Sequence, residues 1–201
     1  MASSPVGSPG GQFPTPAKSS GSLLAFRCAP AIRPYLPEDA SNPAAFIVDA
    51  PITFSQVNNA RDINLTTKGA LGDLAVTISV DGRVLATANV PLNSTKVEVP
   101  FSLSGLTPQT KPFDVSCSAT YSAVQVHTQK FTASSSLYYL PNPPKGRSVT
   151  KIDQRTGALL AKPATGEDGP YETVFPIGFY TSFDGYIATN LSALNVLKEQ
   201  G

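Results

Sequence analysis

Between Leu74 and Val90 apolar and polar residues alternate in two runs, LAVTISV and RVLATANV, which meet at Asp81-Gly82. A two-residue link of that type predicts a β-hairpin with a type I′ turn, because both central positions need positive φ. Val76, Ile78 and Val80 are expected to face the core, as are Val84, Ala86 and Val90. Lys96 to Leu103 alternates as clearly, with Val97, Val99, Phe101 and Leu103 on one face and Lys96, Glu98 and Ser102 on the other. Phe113, Val115, Cys117, Ala119 and Tyr121 form the inward row of the next strand. Gln125 to Leu140 reads as a further long strand, exposed at Thr132, Ser134 and Ser136.

The flanks are less regular. In LLAFRCA, order begins near Leu23, and Leu24, Phe26 and Cys28 share the more apolar face of one strand until Pro30, Pro34 and Pro37 break it up. Ala44 to Phe54 is a strand interrupted by Pro51, and Ser55 to Asp73 is a long connection with a short strand at Ile63-Asn64-Leu65. About seven strands at close spacing predict a two-sheet β-sandwich, immunoglobulin-like or fibronectin-like, with a closed barrel as the alternative. After the boundary PNPPKG comes a small hairpin, Val149 to Asp153 and Ala158 to Ala161, turned by Gln154-Arg155-Thr156-Gly157. A flexible stretch, Lys162 to Pro170, leads on to Val174–Tyr180, which is apolar and β-prone. Thr181 to Tyr186 is a polar, aromatic turn. Thr189 or Asn190 then caps a helix with Leu191, Leu194 and Leu197 on one stripe, and Lys198 and Gly201 suit its end.

The expected organisation is therefore a disordered tail at 1–22, a β-sandwich at 23–140, a linker with a small hairpin at 141–173, and one β/α unit at 174–201. A lone β/α unit has no parallel neighbour to pair with. The expectation is that the chain is the front end of something larger.

Composition narrows the classes. Hydrophobic residues make up 41% and charged residues 14%, enough for a packed core but with a surface that leans on Ser and Thr. The 19 prolines and the absence of tryptophan disfavour long helices before residue 189. A net charge of +1 without a basic cluster argues against nucleic acid and against a charged membrane surface. No apolar run approaches the ~20 residues of a membrane span. Met1 to Gly21 carries no apolar core of a signal peptide, whereas Asn64-Leu65-Thr66 and Asn93-Ser94-Thr95 are formal N-glycosylation acceptors of a secreted chain. Asn190-Leu191-Ser192 also fits, but Asn190 is better explained as a helix cap.

Candidate chemistry is sparse. Cys28 and Cys117 both fall on core faces, where they either bridge the sheets or sit as buried, unpaired apolar residues. Neither has metal-ligand or redox spacing. His127 is the single histidine, without a partner for metal or nucleophile chemistry, and no metal site or cofactor is expected. Arg147, Lys151 and Arg155 read as scattered surface charges. Of the carboxylates, Asp153 opens a turn and Glu167 and Asp168 lie in the flexible stretch. Asp184 lies where a strand's C-terminal end would present it, so Tyr180, Ser182, Asp184 and Tyr186 are the candidate ligand-contacting residues. The competing reading is that Asp184-Gly185 simply makes the turn.

The order of β-sandwich, then VTKIDQRTGALLAK, then VFPIGFYTSFDGY resembles the junction at which multidomain glycoside hydrolases pass from an N-terminal sandwich into a (β/α)8 barrel. Phe175-Pro176-Ile177-Gly178-Phe179-Tyr180 matches the phrase that often opens the first barrel strand of such enzymes. The likeness is specific for the C-terminal part and only architectural for residues 23–140. It implies that Val174 to Tyr180 is barrel strand one and Thr189 to Gln200 helix one. It also implies carbohydrate as the partner of the parent protein, and a secreted or cell-wall setting. The catalytic acid and nucleophile of these barrels sit after strands four and seven. No position here corresponds to them, so no catalytic residue carries over. Alternatives are a stand-alone sandwich that binds carbohydrate or protein, for which an exposed aromatic platform such as Tyr138-Tyr139 would speak, and a purely structural domain without a pocket.

Overall fold

The computed structural model describes residues 15–66, 69–144, 147–163, 169–175, 184–185 and 188–199. The chain is mainly β, with several antiparallel sheets in an arrangement compatible with a β-sandwich. A four-stranded sheet is built from β7 (Asp73–Val80), β8 (Arg83–Pro91), β10 (Phe113–Ala123) and β11 (Val126–Leu137), in the order β11-β10-β7-β8. A three-stranded sheet contains β2 (Arg27–Pro30), β4 (Ala44–Asp49) and β9 (Val97–Phe101), in the order β2-β4-β9. Their apolar faces share one core: Leu74, Val76, Ile78, Val115 and Tyr121 from the first sheet meet Phe46, Val48, Val99 and Phe101 from the second. Full burial of each aliphatic side chain contributes about 1.5–3 kcal/mol. The Phe46 and Phe101 rings lie 4.4 Å apart. Tyr35 meets Phe101 edge-on at 6.1 Å.

The Asp81-Gly82 turn has φ of 47° and 81°, both positive as a type I′ turn requires. Val84, however, is 56% exposed, against the expectation that it faces the core. Val80 pairs with Arg83 and Ser79 with Val84, but Ile78 pairs with Ala86. Leu85 is thus an extra residue, a β-bulge that returns Ala86, Ala88 and Val90 to the inner face and leaves Val84 outside.

Two further corrections concern the N-terminal part. Strand β1 (Lys18–Leu24) begins inside the expected disordered tail. It pairs with β5 (Ile52–Ser55) and β6 (Arg61–Asp62), since backbone pairing does not require apolar side chains. The stretch from Leu23 to Cys28 is two strands rather than one. Ala25 leaves the ladder, its N–H donating to Pro51 O at 3.0 Å, and the chain crosses from the β5-β1-β6 sheet into the β2-β4-β9 sheet. Leu24, Phe26 and Cys28 are nonetheless all buried.

The hairpin after the boundary is β12 (Lys151–Asp153) and β13 (Ala158–Ala161). It belongs to a fourth sheet, β14-β13-β12-β3, where β3 is Ile32–Arg33 and β14 is Glu172–Val174. Val174 therefore closes a short strand antiparallel to β13. It does not begin a longer strand within the described residues, and residues 176–180 lie outside them. Helix α1 covers Ala193–Glu199, shorter than the expected 189–200. Asn190 Oδ1 accepts from the Ser192 N–H at 3.1 Å ahead of it.

Candidate functional site

Of the four residues expected to contact a ligand, Asp184 is exposed. Tyr180, Ser182 and Tyr186 lie outside the described residues. His127 is exposed on β11. Tyr139 is buried and the Tyr138 ring is covered by the Arg33 guanidinium at 4.2 Å. The Tyr138-Tyr139 pair is therefore no aromatic platform. The segment following β11 bonds to Tyr35, through Tyr35 N–H to Tyr138 O at 2.8 Å and Leu140 N–H to Tyr35 O at 3.0 Å.

Cys28 on β2 and Cys117 on β10 are joined by a disulfide, S–S 2.04 Å, which crosses between the two principal sheets. Asn64 is exposed, with its backbone held by the Gln129 amide on both sides, N–H to Oε1 and Nε2 to O at 2.8 Å each. Asn93 is also exposed. It occupies a tight turn at φ 63°, and its Oδ1 accepts from the Ile52 N–H at 3.2 Å.

Among the described residues, the densest group of ionisable side chains was not legible as a cluster in the sequence. Lys151, expected on the surface, is only 2% exposed. Its Nζ donates to both carboxylate oxygens of Asp39 at 2.8 and 2.9 Å and lies 3.5 Å from Glu38 Oε1. The Tyr171 ring covers it at 3.9 Å. Lys162 completes the cluster with a 2.9 Å bond to the other Glu38 oxygen. Burial pushes the Glu38 carboxyl up, but the Lys162 hydrogen bond and the Lys151 charge outweigh it and hold it below its ordinary value. Burial and the Glu38 charge push the Tyr171 hydroxyl up against the opposing pull of Lys162. A general acid needs a carboxyl kept protonated near neutrality, and Glu38 is shifted the other way. The cluster anchors the 3-10 turn Pro37–Ser41 to the hairpin sheet.

A second anchor lies at the hairpin turn. Arg155 donates to both Glu98 oxygens at 2.8 and 3.1 Å and lies 3.4 Å from Asp153. The hydrogen bond from Arg155 to Glu98, opposed by burial and helped by the Glu98 and Asp153 charges, raises the guanidinium above its ordinary value. The Gln154 N–H donates to Ala31 O at 2.8 Å. Asp153 opens the turn as expected, accepting from the Gly157 N–H at 2.7 Å.

Two concave regions lie along β11. One, of about 320 Å³, is bordered by Arg27, Asp49, Asn59, Ser134, Ser135 and Gln154 above Cys28. The other, of about 380 Å³, is bordered by Asn59, Arg61, Asp62, Gln129, Lys130 and Thr132. Ser135 carries a sequence signal: the alternation along β11 places it on the same face as Phe131 and Leu137, both buried. Its hydroxyl is buried without a hydrogen-bond partner. Among the described residues no group of three His, Cys, Asp or Glu side chains is placed to hold a metal ion, and no helix is long and apolar enough to cross a membrane.

Comparison with protein-family models, with curated protein sequences and with solved structures found no match to this chain.

Proposed function

We propose that this chain is the N-terminal accessory region of a glycoside-hydrolase-like protein acting on carbohydrate, without hydrolytic activity of its own. In this reading the two principal sheets form an immunoglobulin-like or fibronectin-like sandwich, the hairpin is a bridge, and the C-terminal segment is the first β/α unit of a (β/α)8 barrel. The observation that carries it is the apolar surface left uncovered at that segment. Phe175 is 84% exposed and Leu191 70%, and Val174, Leu194 and Val196 are also exposed. A first barrel unit needs neighbouring strands and helices to cover such side chains. The docking of VTKIDQRTGALLAK through Lys151 and Arg155 supports a fixed junction over a loose tether.

The test is to read the transcript past the Gly201 codon and assay any longer product for reducing ends released from polysaccharides. Further β/α units with carboxylates after strands four and seven, and hydrolysis by the longer product alone, are the expected result. A stop codon directly after Gly201, or a longer product without hydrolysis, overturns the reading. A self-contained β-sandwich that binds carbohydrate or protein is the second reading, favoured by the two concave regions along β11.

A further inference from the structure

We propose that the two depressions along β11 form one binding groove for a linear, uncharged oligosaccharide. They meet at Asn59, which borders both. From Gln129 to Ser135 they follow β11 for about 20 Å, at ~3.4 Å per strand residue, room for several sugar rings end to end. The side chains of Asn59, Thr132, Ser134 and Gln154 make no hydrogen bond to another described residue. The Ser135 hydroxyl is buried and equally unpaired. Asn59, Thr132, Ser134 and Gln154 are exposed and can exchange water for a ligand's hydroxyls, while the buried Ser135 hydroxyl is costly to leave unpaired.

The chemistry of the border selects the ligand. Amides and hydroxyls both donate and accept, as sugar hydroxyls do. The cations Arg27, Arg61 and Lys130 are interleaved with the carboxylates Asp49 and Asp62, leaving an excess of one positive charge, with Arg27 lying 3.6 Å from Asp49. That mixture of signs offers no field for a polyanion. An extended peptide adding to β11 is disfavoured because it must hydrogen-bond to the strand's edge backbone along its length, and β2 already lies against β11; a saccharide bonds to side chains and needs no free strand edge. The inference rests on the carbohydrate reading above and moves the contact from the C-terminal segment to the sandwich.

The test is titration calorimetry of the full chain with neutral gluco-, xylo- and manno-oligosaccharides, with an anionic polygalacturonate and with a random peptide library. Binding of a neutral oligosaccharide is expected. Loss of one neutral hydrogen bond corresponds to roughly a two- to tenfold weakening, which is the effect expected of Gln154→Ala and of Asn59→Gly. The glycine keeps the positive φ of 66° at that position. Ser134→Arg, which fills the groove from an exposed strand position, is expected to abolish binding. Circular-dichroism melts of each variant check that the fold is intact. Unchanged affinity in folded variants overturns the groove and leaves the carbohydrate reading standing. Preference for polygalacturonate or peptide overturns the ligand class. No binding of any saccharide also overturns the groove, while the hydrolysis assay on the longer product decides the broader reading separately.

Discussion

Replacing Lys151 by Met probes whether the hairpin sheet is an integral part of the folded body. The substitution keeps an unbranched apolar stem and removes the ammonium. Asp39 then loses two charge-assisted bonds, at 2.8 and 2.9 Å, and retains the Leu36 N–H at 2.7 Å. Breaking a fully buried ion pair costs about 3–5 kcal/mol, because the surviving charge has no compensation. The Asp39 side chain is 24% exposed, so water recovers part of that loss and the expected cost falls to about 2–3 kcal/mol. Asp39→Asn should cost a similar amount by leaving the ammonium with Glu38 alone. The double variant should be less destabilised than the sum by about 1–2 kcal/mol, the signature of direct coupling. With no tryptophan in the chain, urea unfolding is best followed by far-UV circular dichroism. Hydrogen exchange at the Ile152 and Leu159 amides supplies the local readout. A Lys151→Met variant within ~0.5 kcal/mol of the parent, with unchanged exchange in the hairpin, would refute the anchoring role.

Other expectations follow from the same geometry. The Cys28–Cys117 bridge spans 89 residues, for which the chain-entropy model gives about 4–5 kcal/mol; a reduced and alkylated protein with an unshifted urea midpoint would contradict it. The Glu38 carboxyl is held below its ordinary value of 4.5 in the folded chain, so its stabilisation is present above that value and is lost as pH falls through the lower folded one. Glu38→Gln should accordingly flatten the acid limb of the stability profile, and an unaltered limb counts against the cluster. The Tyr35 hydroxyl is pushed above 10.0 chiefly by burial, so its contribution is complete below that pH and declines as pH rises through the folded value. Tyr35→Phe should remove that alkaline decline, which titration melts between neutral and strongly basic pH would detect. Finally, Val84→Thr should change stability by less than ~0.5 kcal/mol, whereas Val90→Thr, at a fully buried position, should cost roughly 2 kcal/mol or more. Equal effects at the two sites would argue against the bulge at Leu85.

The sequence alone determined the strands with strict two-residue periodicity. Phe113 to Tyr121 and Val97 to Leu103 show their buried rows without ambiguity, because side chains on a strand alternate faces and one face here is uniformly apolar. The Asp81-Gly82 turn was equally legible, since few residue pairs accept positive φ twice. Only the tertiary structure decided the rest. A bulge shifts register by one residue without changing composition, so Val84 and Ala86 look equivalent until their partners on β7 are known. The polar strand β1 carries almost no periodic signal, because its pairing with β5 and β6 comes from the backbone. Lys151 reads as a surface charge until Glu38, Asp39 and Tyr171, far away along the chain, are brought around it. The groove along β11 likewise draws on Asn59, Ser135 and Gln154, whose hydroxyl and amides are ordinary loop and strand residues until three separate elements place them side by side. Local pattern reports which face of an element is apolar; which distant polar groups converge on it is a property of the packed sheets.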